Sequence, residues 1–197
     1  MSKTKRFILS TIILFVSFLT GSFLAADYFS IIHNFRQNYS PVAKLTVSFL
    51  ACIIAFIIGK DALSKRDSIL IKIALPLCFI GDIFVTTYNS WIQNFIFFVM
   101  GGIFFIFSVS IFTIRHSNFF SFLKEKTLKR VATGLIFFIP LLLIVTLFYE
   151  KLIQTNLLIL TIVYGGLVSV FLWTGVAALT FRLFPEPNSI LICIGTI

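Results

Sequence analysis

Asp82 is the residue whose setting most calls for a chemical explanation. It lies in Phe79-Ile80-Gly81-Asp82-Ile83-Phe84, where every neighbour is apolar or glycine. An aspartate at the centre of a membrane helix costs about 2.5–3.5 kcal/mol on insertion scales. Ionisable groups in such places face a cavity or a partner and by default mark a site. A carboxyl group in a low-dielectric medium favours its neutral form, and a neutral carboxylic acid at ordinary pH can serve as a general acid. The structural alternative is a hydrogen-bonding group within the helix packing, or half of an ion pair with Lys44. The polar residues expected at the same depth are Lys44, Tyr164, Gln93 and Asn94, with Asp27 at the same level. We read Asp82 as the catalytic candidate and Lys44, Tyr164, Asn94 and Gln93 as substrate-binding candidates. Tyr164 also suits an interfacial aromatic belt, and Gln93 and Asn94 suit a helix cap.

Other chemistries leave no signature. Cys52, Cys78 and Cys193 lie in apolar runs without CxxC spacing and read as small packing residues. His33 and His116 fall in expected loops, where a lone histidine is ordinarily solvated. GxSxG, HExxH, P-loop and GxGxxG motifs do not occur. The expectation is therefore no metal site and no cofactor.

The elements that must position Asp82 follow from composition. Of 197 residues, 59% are hydrophobic and 12% are charged, and the mean hydropathy is +1.07. Soluble domains carry about 25% charged residues, so this chain cannot cover a globule of its size with a solvated surface. That excludes a soluble enzyme, a disordered chain and a basic-surfaced nucleic-acid binder. The expected fold is all-α: one domain over residues 1–197, a polytopic bundle of transmembrane helices. A helix needs roughly 20 apolar residues to cross the hydrocarbon core. The runs that meet or approach this length are 7–26, 41–59, 69–88, 95–114, 131–149 and 157–181, with Pro140 inside the fifth. The second run relies on Lys44 snorkelling and Pro41 opening the helix. The third contains Lys72 and Asp82. A seventh run, Ser189–Ile197, stops after nine residues and reads as half a helix. Lys3, Lys5 and Arg6 precede the first run, whose length favours an uncleaved helix over a signal peptide.

Charge placement orients the bundle. With a cytoplasmic N-terminus, the inner segments hold Lys3, Lys5 and Arg6, then Lys60, Lys65 and Arg66, then Arg115, Lys124, Lys126, Lys129 and Arg130, and finally Arg182. These are 12 of the 16 basic residues, as the positive-inside rule requires. The net charge of +9 is thus an expression of topology. The segment Asn118–Arg130 mixes apolar and basic residues; it suits either a plain loop or an interfacial contact with anionic headgroups.

In this frame the chain resembles the YhhN-like integral membrane proteins, which include the lysoplasmalogenases. Lys44-Leu45-Thr46 is similar to the family's Lys-Pro-Leu-Thr stretch, without the proline. Ile80-Gly81-Asp82-Ile83-Phe84 resembles its Gly-Asp-hydrophobic motif. Gly102-Ile103-Phe104-Phe105 followed by Ser108 resembles its span-four pattern, Tyr164 sits where the family has a tyrosine, and Gly195-Thr196 resembles the opening of its Ser-Asp motif in span seven. The sequence departs from the pattern at Val109, where the family has histidine, and at Phe112, where it has tyrosine. It also stops before the family's second membrane aspartate, which reads as a truncated or degenerate member or an incomplete sequence.

The resemblance implies hydrolysis of the vinyl-ether bond of lysoplasmalogen to a fatty aldehyde and a glycerophospho-alcohol. The expected partner is a membrane lysophospholipid, not nucleic acid. The competing readings are a small proton-coupled transporter using Asp82 and Lys44, and a non-catalytic family member. The Phe-, Ile- and Lys-rich composition fits an AT-rich bacterial genome and hence a plasma-membrane location.

Overall fold

The computed structural model describes residues 3–32, 40–58, 64–87, 94–117 and 134–180. Among them every regular element is helical. Six α-helices follow one another: α1 (Lys3–Ile32), α2 (Ser40–Ile58), α3 (Lys65–Thr87), α4 (Phe95–Ser117), α5 (Ile139–Gln154) and α6 (Leu158–Thr180). A 3-10 turn, Ile136–Phe138, leads into α5. The partial run Ser189–Ile197, the segment Asn118–Arg130, Gln93, His33 and Cys193 lie outside the described residues.

The burial pattern is inverted relative to a water-soluble domain. Most buried residues are small: Cys52, Ala55, Ala74, Ala177 and Ala178 are buried, and so are Ser108, Ser169 and Thr174. Large apolar side chains point outward, among them Phe7, Phe18, Leu147 and Ile159, each more than 70% exposed. Soluble monomers rarely show apolar patches beyond a few hundred Å², whereas helices in hydrocarbon pack through small residues and leave the large ones to lipid. Among the described residues four helical segments are long and apolar enough to cross a membrane: Lys65–Thr87, Phe95–His116, Ile136–Gln154 and Leu158–Thr180. α1 and α2 also contain apolar stretches, Phe7–Phe23 and Lys44–Ile57.

Local sequence explains the helix ends. At the start of α3, Ser64 Oγ accepts the Asp67 amide at 3.0 Å, which caps the helix and places a carboxylate in its first turn. α5 begins with Pro140 in its first turn, where a missing N–H costs nothing. α5 continues through Glu150 and Lys151 to Gln154, beyond the expected end of the fifth run. It stops in a Schellman turn. Leu157 N–H reaches the Leu152 carbonyl at 2.9 Å, Asn156 N–H reaches Ile153 at 3.0 Å, and Asn156 takes the left-handed conformation at φ 56°.

The chain divides into two compact units, Met1–Phe104 and Phe105–Ile197, with α4 continuous across the division. In the first unit α2 packs against both α1 and α3. Phe49 on α2 meets Phe79 on α3 with ring centroids 5.7 Å apart. The N-terminal part of α4 approaches α3 where Phe84 stacks on Phe104, at 5.5 Å and 8° between planes. In the second unit α5 packs on α6. Gly165 of α6 faces Leu141 of α5, so the small pair Gly165 and Ser169 serves packing within the chain.

Candidate functional site

Asp82 lies five residues before the end of α3 and is half-buried. Its neighbours on α3 point elsewhere. Gly81 is buried, and its carbonyl oxygen lies against Gly101 of α4. A step of one residue turns a helix by about 100°, so Asp82 leaves that contact and faces α2.

On α2 the facing residues repeat every four positions: Lys44, Ser48 and Cys52, with Ala55 next. This spacing stacks side chains along one helix face. The Ser48 hydroxyl donates a hydrogen bond to Asp82 Oδ2. Lys44, one turn towards the start of α2, is exposed and within electrostatic reach of the Asp82 carboxyl. Cys52, one turn the other way, is 7% exposed and also feels the Asp82 charge. Ser48 pairs with Asp82, while Phe49, the next residue on α2, pairs with Phe79, three back on α3. The two helices therefore run antiparallel, and the same register sets Cys52 level with Cys78. Neither cysteine forms a disulfide.

Of the residues singled out from sequence, Lys44 and Asp82 lie on α2 and α3, within electrostatic reach of each other. Asn94 Oδ1 accepts the Ile96 amide at 3.0 Å, so its side chain caps α4. Tyr164 belongs to the second unit, where its ring lies 6.4 Å from that of Phe105. Gln93 lies outside the described residues, as does the side chain of Asp27. Sequence reasoning passed over Ser48 and treated Cys52 as packing alone; the four-residue spacing from Lys44 was the signal that places both beside Asp82.

His116 departs from its expected loop position. α4 runs past Ile114 to Ser117, and His116 is 4% exposed. Its ring stacks on Phe171 of α6 at 5.2 Å, and Arg115 Nη1 lies 3.2 Å from its Nε2. The basic pair Arg115 and His116 suits the negative end of the helix dipole, which favours the extra turn.

An open surface depression runs along α5, lined by residues that include Thr146, Phe148, Tyr149, Glu150, Lys151 and Gln154. It sits where Phe148 departs from helical geometry, at φ −113° and ψ 15°, and Asp82 is not among its lining residues. Among the described residues no group of three His, Cys, Asp or Glu side chains could hold a metal ion.

The model of the YhhN family matches residues 39–197, from just before α2 to the last residue of the sequence. The chain belongs to the YhhN family. No curated protein and no solved structure matches it. The family match takes in every residue of the Lys44–Ser48–Asp82 arrangement and leaves out all of α1.

Proposed function

We propose that this YhhN-family protein is a multi-pass membrane hydrolase that cleaves the vinyl-ether bond of a lysophospholipid of the plasmalogen type. Asp82 is its proton-transfer group. One observation carries this reading: a carboxyl group between two apolar helices, held by a serine hydroxyl, with an exposed lysine ammonium one turn nearer the start of α2. The sequence resemblance to lysoplasmalogenases gives the reading its substrate.

In this proposal the chain crosses the bilayer of the plasma membrane six times from a cytoplasmic N-terminus, with α1 and α2 supplying the first two spans. Asp82 then lies in the outer half of α3, at a depth a single-chain lipid reaches from the outer leaflet. Its carboxylic acid protonates the enol-ether carbon remote from oxygen. Water adds to the resulting oxocarbenium carbon and returns one proton to the Asp82 carboxylate. The hemiacetal collapses to a fatty aldehyde and a glycerophospho-alcohol, so one water is consumed for each bond cleaved. Lys44 meets the headgroup phosphate, while Asn94 and Gln93 contact the rest of the headgroup.

The test is aldehyde release from lysoplasmalogen by purified protein in detergent. We expect turnover in the native protein and a loss of about 100-fold or more in Asp82→Asn, the range general acid catalysis supplies. Turnover no greater than that of Asp82→Asn would end the hydrolase reading. The Lys44 and Asp82 charges also suit a proton-coupled transporter. That second reading predicts solute uptake into proteoliposomes driven by a pH gradient and lost in Asp82→Asn.

A further inference from the structure

Hydroxyl groups in apolar helices ordinarily satisfy themselves on the carbonyl one turn back. Thr11, Thr20, Ser110, Thr113, Ser169 and Thr180 all do so here, at 2.7–2.9 Å. Thr87, on the same helix as Asp82, does so as well. Ser48 departs from this default by reaching across to α3.

From this departure we infer that Ser48 is a positioning residue, which holds one oxygen of the Asp82 carboxyl from the neighbouring helix and leaves the other for proton transfer. The inference rests on the proposed role of Asp82 and adds the residue that orients it. An aspartate carboxyl turns over a broad torsional range. A donor on a separate helix fixes that torsion only if the donor is itself fixed. Ser48 meets this condition because the adjacent Phe49 packs on Phe79, and because Ala55 and Ala74, both 1% exposed or less, let α2 and α3 approach closely. Asp82 is also fixed from behind, since Gly81 lies against Gly101. Among the described residues Ser48 is the hydrogen-bond donor to Asp82, and the Lys44 and Cys52 side chains on either side complete the α2 face it meets.

The experiment measures covalent labelling of Asp82 by a hydrophobic carbodiimide, read by mass spectrometry on the full chain in detergent, with Asp82→Asn as the blank. Ser48→Ala frees the second oxygen and speeds labelling by about threefold or more, while Ser48→Thr, which keeps a hydroxyl donor, stays within about twofold of the native rate. Ser48→Cys, near in size with a weak donor, follows Ser48→Ala and replaces it if the alanine variant does not fold. With lysoplasmalogen, Ser48→Ala lowers kcat by roughly 10-fold and leaves KM within about twofold, and threonine restores most of the loss. If the native protein releases no aldehyde, the hydrolase reading falls and the labelling rates alone decide the role of Ser48. Native-rate labelling in both Ser48→Ala and Ser48→Cys overturns the inference. So does a Ser48→Thr variant that departs from the native rate as far as Ser48→Ala does.

Discussion

Gly101 and Val85 leave no room for a methyl group between them. A Cβ on Gly101 would meet Val85 Cγ2 at 2.6 Å, and the Gly81 carbonyl oxygen and Val85 amide nitrogen at 3.0 and 3.2 Å. Two of these three atoms are backbone, so a side-chain rearrangement cannot relieve the contact. Gly101→Ala is expected to lower stability by about 1–3 kcal/mol, the usual cost of overpacking. Val85→Ala in the same chain should restore only part of it. Thermal unfolding in detergent checks both. Because the displaced atoms adjoin Asp82, the same substitution should also slow any reaction at that carboxyl.

Gly165 gives the contrasting case. A Cβ there would meet Leu141 Cδ1 at 2.5 Å, but the other close atoms also belong to that leucine side chain. Gly165→Ala should therefore cost less than Gly101→Ala, within about 1 kcal/mol, because a leucine tip can change rotamer. Leu141→Ala should remove the conflict entirely. A double-mutant cycle in the same unfolding assay would show a double-mutant loss smaller than the sum of the single losses. Purely additive losses would place the strain elsewhere.

Asn156 closes α5 at φ 56°, a conformation that asparagine and glycine tolerate and β-branched residues resist. Asn156→Gly is expected to leave stability unchanged within about 0.5 kcal/mol, whereas Asn156→Val should lose about 1–2 kcal/mol. The readout is the unfolding midpoint of each variant. Equal midpoints would mean that the Schellman turn does not set the end of the helix.

Lys44 tests the electrostatic side of the site. It is exposed, so its removal should leave the fold intact while withdrawing the positive charge nearest Asp82 on α2. Lys44→Met is expected to lower kcat/KM for a phosphate-bearing lipid by roughly 10-fold, the scale of one charge-assisted contact. Lys44→Arg should retain most of the native value. Equal rates in all three proteins would remove Lys44 from the site.

Much of the fold was readable because helices in hydrocarbon must be long and apolar, and only length and charge needed counting. The difficult positions were those where a helix outruns its apolar stretch. α4 continues through Arg115 and His116, and α5 through Glu150 and Lys151, because nothing in those residues stops a helix. Asp82 was legible as an anomaly among apolar residues. Ser48 was not, since a hydroxyl in an apolar run is ordinarily silent; only the structure shows that it turns outward from its own helix. Asn94 was legible as a helix cap, and the geometry shows the cap.

The Lys44–Ser48–Asp82 arrangement is also local in sequence, carried on two consecutive helices. That has a consequence for how the protein is made. α2 carries Lys44 near its start, and α3 carries Asp82 near its end. Were each helix to enter a bilayer alone, it would bring its charged group towards the lipid, at about 2.5–3.5 kcal/mol for such a group at the centre. Entering as a preformed hairpin, each helix covers the other's liability: the serine and lysine meet the carboxyl before lipid does. Biogenesis and chemistry would then draw on the same three side chains, and a substitution that disarms the site would also burden the ribosome-bound chain.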